Sequence, residues 1–171
     1  MAGNKYFELG SNNRPKQKAA TQTSAGGANA NEIVALDAAG LLDSTLFPPG
    51  VGPDAKSITA GENITAPAMV NIYDDAGTLK ARRADYSNGR EVIGYIKDNA
   101  TSGAAVTVYF DGISTGHSAL TIGANYYIST LGTVTTTPAT SGASCILQKI
   151  GKGYSATEIV FEAEEPLDLI A

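Results

Sequence analysis

From residue 56 onward, apolar and polar residues alternate with a period of two, and this alternation most constrains the fold. In the run 68–73, Ala68, Val70 and Ile72 share one face of a predicted strand, and the run 106–110 repeats the pattern. Turn-forming residues interrupt the alternation about every 8 to 15 residues, and no segment carries the 3.6-residue apolar stripe of a helix. The sequence therefore predicts about eight to ten strands in an all-β fold, either a small β-barrel or a β-sandwich.

One local prediction is a hairpin whose turn is Asp74-Asp-Ala-Gly77. Glycine supplies the positive φ that such a compact turn often needs. The return strand, Lys80-Ala-Arg-Arg-Ala84, alternates charge with alanine. That pattern is typical of an exposed sheet edge protected against aggregation, so we expect an edge strand there.

The first 31 residues differ in character from the rest. Near the start only Tyr6, Phe7 and Leu9 are strongly apolar, and residues 10–31 contain no large hydrophobic residue. Such a stretch cannot offset its ordering entropy by burial within its own chain. We therefore predict an extended N-terminal arm over residues 1–31, with the three apolar residues as its anchors on a neighbouring protein. A frayed terminus is the alternative.

Residues 32–55 form a strand-turn linker between this arm and a β domain at 56–171. The linker sequence predicts a short strand at residues 33–36 and a tight turn at Asp37-Ala-Ala-Gly40. A capped half-turn at residues 43–47 then precedes two prolines. The chain is thus predicted to have three parts: arm, linker and β domain.

Charge and hydropathy limit the possible partners. Twelve basic residues stand against 17 acidic ones, a net charge of −5. Residues 1–56 carry five of each sign, so the acidic excess lies in the β domain. An acidic domain repels phosphate backbones, which argues against nucleic acid as a partner. No apolar run approaches the roughly 18 to 20 residues of a membrane span and no secretion signal is visible, so we expect a soluble protein made inside the cell.

Residues that could carry catalysis or hold a metal are few. His117 is the single histidine and Cys145 the single cysteine, whereas a zinc site normally uses several such ligands. A Ser-His-Asp triad through His117 is formally possible, but no Gly-x-Ser-x-Gly elbow marks a nucleophile. Paired carboxylates for glycoside hydrolysis cannot be recognised from sequence, and the absence of Trp counts against a sugar-cleaving site. We predict no enzymatic activity, no catalytic residues, no metal and no cofactor.

Further candidates for protein contacts lie in the β domain. Tyr95 and Tyr109 are expected at outward-facing strand positions, and tyrosine is enriched at interfaces. A partly buried structural role is the alternative for both tyrosines. Near the C-terminus, Leu169 and Ile170 follow an acidic segment and are candidates for docking onto a neighbour.

Several segments of the chain resemble the β module of tailed-bacteriophage virion proteins, and among these most of all the capsid decoration (cement) proteins. The segments that carry the resemblance are Ile58-Thr-Ala-Gly-Glu-Asn-Ile-Thr-Ala66, Met69-Val-Asn-Ile-Tyr-Asp-Asp75, Ala81-Arg-Arg-Ala-Asp85, Gly94-Tyr-Ile96 and Ala104-Ala-Val-Thr-Val-Tyr-Phe-Asp-Gly112. The piece Ile33-Val-Ala-Leu-Asp-Ala-Ala-Gly40 is similar to a linker of phage head and tail-fibre proteins.

The resemblance implies a structural virion protein that binds the outer surface of a phage capsid and stabilises the lattice of the major capsid protein. It implies a homo-oligomer, often a trimer, with each arm lying across adjacent capsid subunits. The alternative is a phage head or tail fibre module that binds a host surface. A fibre would normally contain longer repeats or a stalk, and the sequence shows no such repeat.

Overall fold

The computed structural model describes residues 5–38, 40–47, 54–142 and 144–169, and it divides the chain into two compact units, Met1–Gly52 and Pro53–Ala171. The described residues form strands and four short 3-10 helices, which confirms the all-β prediction. In these ranges no helix has the length and apolar character needed to cross a membrane. The strands, numbered in chain order, are β1 (Lys5–Leu9), β2 (Pro15–Ala19), β3 (Ala55–Ala60), β4 (Ala68–Asp75), β5 (Thr78–Arg83), β6 (Gly94–Ile96), β7 (Ala105–Tyr109), β8 (Gly112–Thr115), β9 (Asn125–Ile128), β10 (Val134–Thr135), β11 (Ile146–Leu147), β12 (Lys149–Ser155), β13 (Glu158–Phe161) and β14 (Leu167–Asp168).

The N-terminal unit contains an antiparallel hairpin where the sequence predicted an extended arm. Strands β1 and β2 pair in register from Lys5 opposite Ala19 to Leu9 opposite Pro15. The Asn13 N–H donates to the carbonyl of Gly10 at 2.9 Å, and Asn13 adopts a φ of 57°, which asparagine tolerates. The prediction counted only apolar burial, whereas backbone hydrogen bonds between the strands order this segment.

The linker joins the same unit as the hairpin. Of the strand predicted at 33–36, only Val34 forms a bridge, parallel to Thr21. The turn at 37–40 closes through a backbone hydrogen bond of 3.1 Å from residue 40 to residue 37. The predicted half-turn becomes a 3-10 helix at Ser44–Leu46. The two prolines that follow lie outside the described residues.

In the second unit, five strands close into a barrel in the order β3-β5-β4-β6-β7. The predicted hairpin joins β4 to β5, with Asp75 opposite Thr78. Ala76 and Gly77 have φ values of 51° and 85°, so both central turn residues occupy the left-handed region. The Gly77 N–H also donates to the Asp74 Oδ1 at 2.9 Å, which holds the turn closed.

The expectation of an exposed edge at residues 80–84 is wrong. Strand β5 pairs with β4 on one side and, in parallel, with β3 on the other, where Ala60 lies opposite Ala81. The Ala81 side chain is fully buried inside the barrel, in the same cluster as Ile58, Ile96 and Val108. Both alanines of the segment, Ala81 and Ala84, are buried in hydrophobic clusters, so the pattern of charge and alanine does not mark an edge.

A second sheet packs on the barrel. Its five antiparallel strands lie in the order β10-β9-β12-β13-β8, and β11 pairs separately with β14. Two hydrophobic clusters result. The barrel interior includes Ile58, Ile64, Val70, Ile96, Val106 and Val108. The second cluster joins barrel strands to the second sheet and includes Met69, Tyr95, Tyr126, Ile128, Ile150, Ile159 and Phe161.

Tyr95 belongs to this second cluster and is only 1% exposed, so the expectation that it lies on a free outward face is wrong. Its ring stacks on Tyr109 with centroids 5.5 Å apart and tilts against Phe161 at 5.1 Å. Its hydroxyl donates to the Asp111 carbonyl at 3.1 Å. The side chain does point out of the barrel, but the second sheet covers it, and half-buried Tyr109 shares the same stack.

The barrel interior predicts a large effect of truncation at Ile96, which is fully buried there. We expect Ile96→Ala to lower the free energy of unfolding of the second unit by about 2 to 5 kcal/mol, because lost burial and a cavity act together. Ile122 is 71% exposed, so Ile122→Ala is the matched control, with an expected change within about 0.5 kcal/mol. Urea unfolding followed by circular dichroism measures the free energy of unfolding of both variants. Equal losses in the two variants would contradict this packing.

Candidate functional site

The N-terminal unit combines exposed apolar side chains with the lack of a core. Among the residues of this unit whose side chains the structure describes, none is buried. Extended apolar exposure of this kind marks interaction surfaces. The large exposed hydrophobic residues of the unit are Phe7, Leu9, Ile33, Val34, Leu36, Leu41, Leu42 and Phe47.

One side of the β1–β2 hairpin carries the most exposed of these residues. Side chains alternate across a strand, and the register places three cross-strand pairs on this side. All six residues are exposed, and Phe7 and Leu9 are each 72% exposed. We call this side the hairpin face; it consists of Lys5, Phe7, Leu9, Pro15, Gln17 and Ala19.

The opposite side of the hairpin is directed at the rest of its own unit. Lys18 lies 3.3 Å from a carboxylate oxygen of Glu32 and 3.7 Å from one of Glu8. The Tyr6 hydroxyl oxygen is buried there without a hydrogen-bond partner among the described residues. Of the three predicted anchors, Phe7 and Leu9 thus share the hairpin face, and Tyr6 lies on the other side.

Glu32 organises the polar contacts behind the hairpin. It accepts hydrogen bonds from the Thr21 hydroxyl and, at 2.9 Å, from the Asn29 amide, and it pairs with Lys18. These hydrogen bonds lower the pKa of the Glu32 carboxyl, and the bond to Glu32 raises the pKa of Lys18. Sequence reasoning missed Glu32 as an organiser, because its partners come from separate positions and form no local motif.

The C-terminal candidates lie in the second unit. Leu169 is half-buried, and its N–H donates to the Cys145 carbonyl at 2.9 Å next to the β11–β14 pair. Ile170 lies outside the described residues. Leu169 is thus held by its own unit, and its role in docking stays a prediction. Cys145, the single cysteine of the chain, is half-buried and free.

The His117 Nε2 forms a hydrogen bond with the Ser114 Oγ at 2.8 Å. Ser114 is fully buried, so its hydroxyl is inaccessible to an external substrate. Burial lowers the pKa of His117. In the described part of the chain, no group of three or more His, Cys, Asp or Glu residues is placed to hold a metal ion.

Comparisons with known proteins give one match. No family model matches the chain, and no curated protein matches it. Among solved structures, the chain is similar to the N base of the head fibre gp8.5 of bacteriophage phi29, with a TM-score of 0.43 and 12% identity. The match covers 63% of this chain and 92% of that one. A likeness at this level assigns neither a family nor a function.

The Glu32 contacts predict an acid-sensitive N-terminal unit. Because the folded-state pKa of Glu32 is depressed, its contribution to stability is present above the ordinary value of 4.5 and is lost as the pH falls through the folded-state pKa. The N–H groups of Thr21 and Ala35 donate the hydrogen bonds of the bridge between Thr21 and Val34, so hydrogen exchange at these two amides measures this loss.

We expect Glu32→Gln to lower the protection factors of these amides, corrected for the intrinsic exchange rate, at neutral pH, and to flatten their fall on acidification. Glu165→Gln, in the second unit, is the control and should follow the parent protein. A pH profile for Glu32→Gln that coincides with that of the parent would show that the carboxylate does not order this unit.

Proposed function

We propose that this protein is a structural component of a tailed-phage virion, in the class of capsid decoration proteins. In this proposal the N-terminal unit binds the major capsid protein on the outer surface of the head. The observation that carries the proposal is the hairpin face, which exposes Phe7 and Leu9 in a unit where no described residue is buried. The resemblance of the β domain to decoration proteins supports the choice of class.

The energetics of the hairpin face suit a contact made in many copies. Burying Phe7 and Leu9 against a partner contributes about 1.5 to 3 kcal/mol for each side chain. One such contact is modest, but self-association of the protein would link several of them and raise the effective concentration of each. A protein that binds only the assembled lattice stabilises that lattice by mass action.

The distribution of charge supports attachment through the N-terminal unit. Residues 1–52 contain four basic and four acidic residues, which leaves eight basic and thirteen acidic residues in the second unit. The whole net charge of −5 therefore lies in the second unit. Copies of the neutral unit approach one another, or a capsid subunit, without the repulsion that the acidic units would experience. We include association into a trimer in the proposal, as the resemblance implies.

The proposal includes no enzymatic activity, no cofactor and no nucleic-acid or membrane partner. The buried hydroxyl of Ser114 beside His117 supports the first of these, because a nucleophile must reach its substrate. The acidic second unit supports the exclusion of nucleic acid.

Removing the two exposed side chains tests the attachment. We expect Phe7→Ser combined with Leu9→Ser to weaken binding to capsids that lack this protein by at least about a hundredfold, since about 3 to 6 kcal/mol of burial is lost. Co-sedimentation at limiting protein measures the occupancy. Ile122→Ser combined with Leu131→Ser changes two exposed residues of the second unit and is the matched control. If the Phe7 and Leu9 variant occupies capsids as fully as the parent protein does, the proposal is wrong.

The position on the virion separates decoration protein from fibre module. Immunogold labelling of intact virions with antibody to this chain should give dense label over the whole head. Label confined to the tail tip or to sparse appendages would favour the fibre module that binds a host surface, with the hairpin as its attachment device.

A further inference from the structure

A pocket of about 450 Å³ lies in the second unit, whereas the hairpin face belongs to the N-terminal unit. Its walls are the loop between β8 and β9, the chain leading into and out of β10, and the residue before β4. The volume falls in the range of small-molecule sites. We call it the hydroxyl pocket; its polar side chains are His117, Ser118, Thr121, Thr133, Thr135 and Thr136.

None of the described residues that line the hydroxyl pocket carries a charged side chain, although the unit around it has a net charge of −5. A second pocket of about 380 Å³ in the same unit provides the contrast. Five acidic residues line that second pocket: Glu91, Asp111, Glu162, Glu164 and Glu165. The hydroxyl pocket therefore offers hydrogen bonds without the formal charge that would select an ion.

His117 presents a neutral donor in this lining. The Ser114 hydroxyl is fully buried, and the His117 Nε2 at 2.8 Å is its one hydrogen-bond partner among the described residues. The Nδ1–H tautomer gives the buried Ser114 hydroxyl an acceptor at Nε2, whereas the Nε2–H tautomer would leave the hydroxyl proton without one among the described residues. The hydrogen bond therefore favours the Nδ1–H tautomer. Burial lowers the pKa of the ring, which keeps it uncharged at neutral pH. The Nδ1–H has no partner within the described residues and is free to donate to a ligand.

One lining residue and one residue next to the lining have a strained backbone. Ala119 in the loop after β8 has a φ of 54°, and Leu131, next to the lining residue Gly132, has a φ of 55°. Residues with side chains rarely adopt this left-handed conformation, and such strain concentrates at ligand-binding sites. The Leu131 conformation is held by buried Asp85, whose Oδ2 accepts the Leu131 N–H at 3.1 Å.

We propose that the hydroxyl pocket binds a neutral saccharide. The Ser and Thr hydroxyls and the His117 Nδ1–H would pair with sugar hydroxyls, and Pro67, Leu120 and Val134 would pack on the apolar C–H face of the ring. The lining aromatic residue, Tyr126, is only 4% exposed and gives no stacking platform, so the affinity lies near the millimolar range. This inference is independent of the proposed attachment through the N-terminal unit.

The single histidine makes a direct test possible, because its ring nitrogens give the only imidazole signals in the NMR spectrum of the full chain. We expect the Nδ1–H tautomer in the free protein. We also expect saturable shifts of these signals with at least one neutral mono- or disaccharide, with a Kd of about 1 to 10 mM. Glucuronic acid, a sugar with a carboxylate, should bind more weakly than its neutral counterpart glucose.

Two neighbouring variants make the test specific to the pocket. Thr136 is exposed and lines the pocket, so Thr136→Arg should abolish the shifts by filling and charging it. Thr137 is equally exposed but is not a lining residue, so Thr137→Arg should bind as the parent protein does. Shifts that persist in Thr136→Arg, or an Nε2–H tautomer in the free protein, would overturn the proposal.

A second experiment distinguishes the possible sources of the sugar. In this experiment the chain is sedimented together with neutral polysaccharide purified from bacterial cell surfaces. Co-sedimentation that is lost in the Thr136→Arg variant would identify a surface polymer as the ligand. Binding of free sugars without such co-sedimentation would identify a small soluble saccharide. The absence of saturable binding in both the NMR titration and the co-sedimentation experiment would refute the proposal.

Discussion

The architecture of the second unit depends on two strands, β4 and β6, that are buried on both faces. On β4, Val70 points into the barrel and Met69 points out of it, and both are fully buried. On β6, Ile96 and Tyr95 are divided between the two clusters in the same way. The outward residues are buried only because the second sheet covers them, through contacts such as that between Tyr95 and Phe161. Barrel and sheet therefore stabilise each other, and neither has a complete core alone.

The N-terminal unit is held together differently. Its order comes from the backbone pairing of β1 with β2, from the bridge between Thr21 and Val34, and from the polar contacts of Glu32. Hydrogen bonds and ion pairs at an exposed surface contribute little net stability, because water competes for the same groups. The stability of such a unit increases most when a partner covers its exposed apolar side chains. This is the physical basis of the proposal that the hairpin face is an attachment surface.

Asp85 connects the packed core to the hydroxyl pocket. It is buried and accepts hydrogen bonds from the Ser87 N–H at 3.0 Å and from the Leu131 N–H at 3.1 Å. Burial opposes ionisation of this carboxyl, but the hydrogen bonds outweigh it, and the pKa of Asp85 is lowered. The carboxylate thus stays charged and holds the loop before β10 in its strained form. The adjacent lining residue Gly132 is therefore held in place by a contact from the packed core.

Local pattern alone determined several features of this protein. The period of two indicated the all-β class and the inward set that includes Val70, and Asp74 with Gly77 indicated the hairpin turn, because these depend on the residue and its immediate neighbours. The apolar residues Phe7 and Leu9 stood out in a polar segment for the same reason. Only the tertiary structure decided that β5 pairs with β3, that a second sheet covers Tyr95, and that His117 meets Ser114 beside an uncharged pocket. Alternation tells which side chains share a face, whereas the neighbour that covers each face is set by contacts between residues distant in sequence.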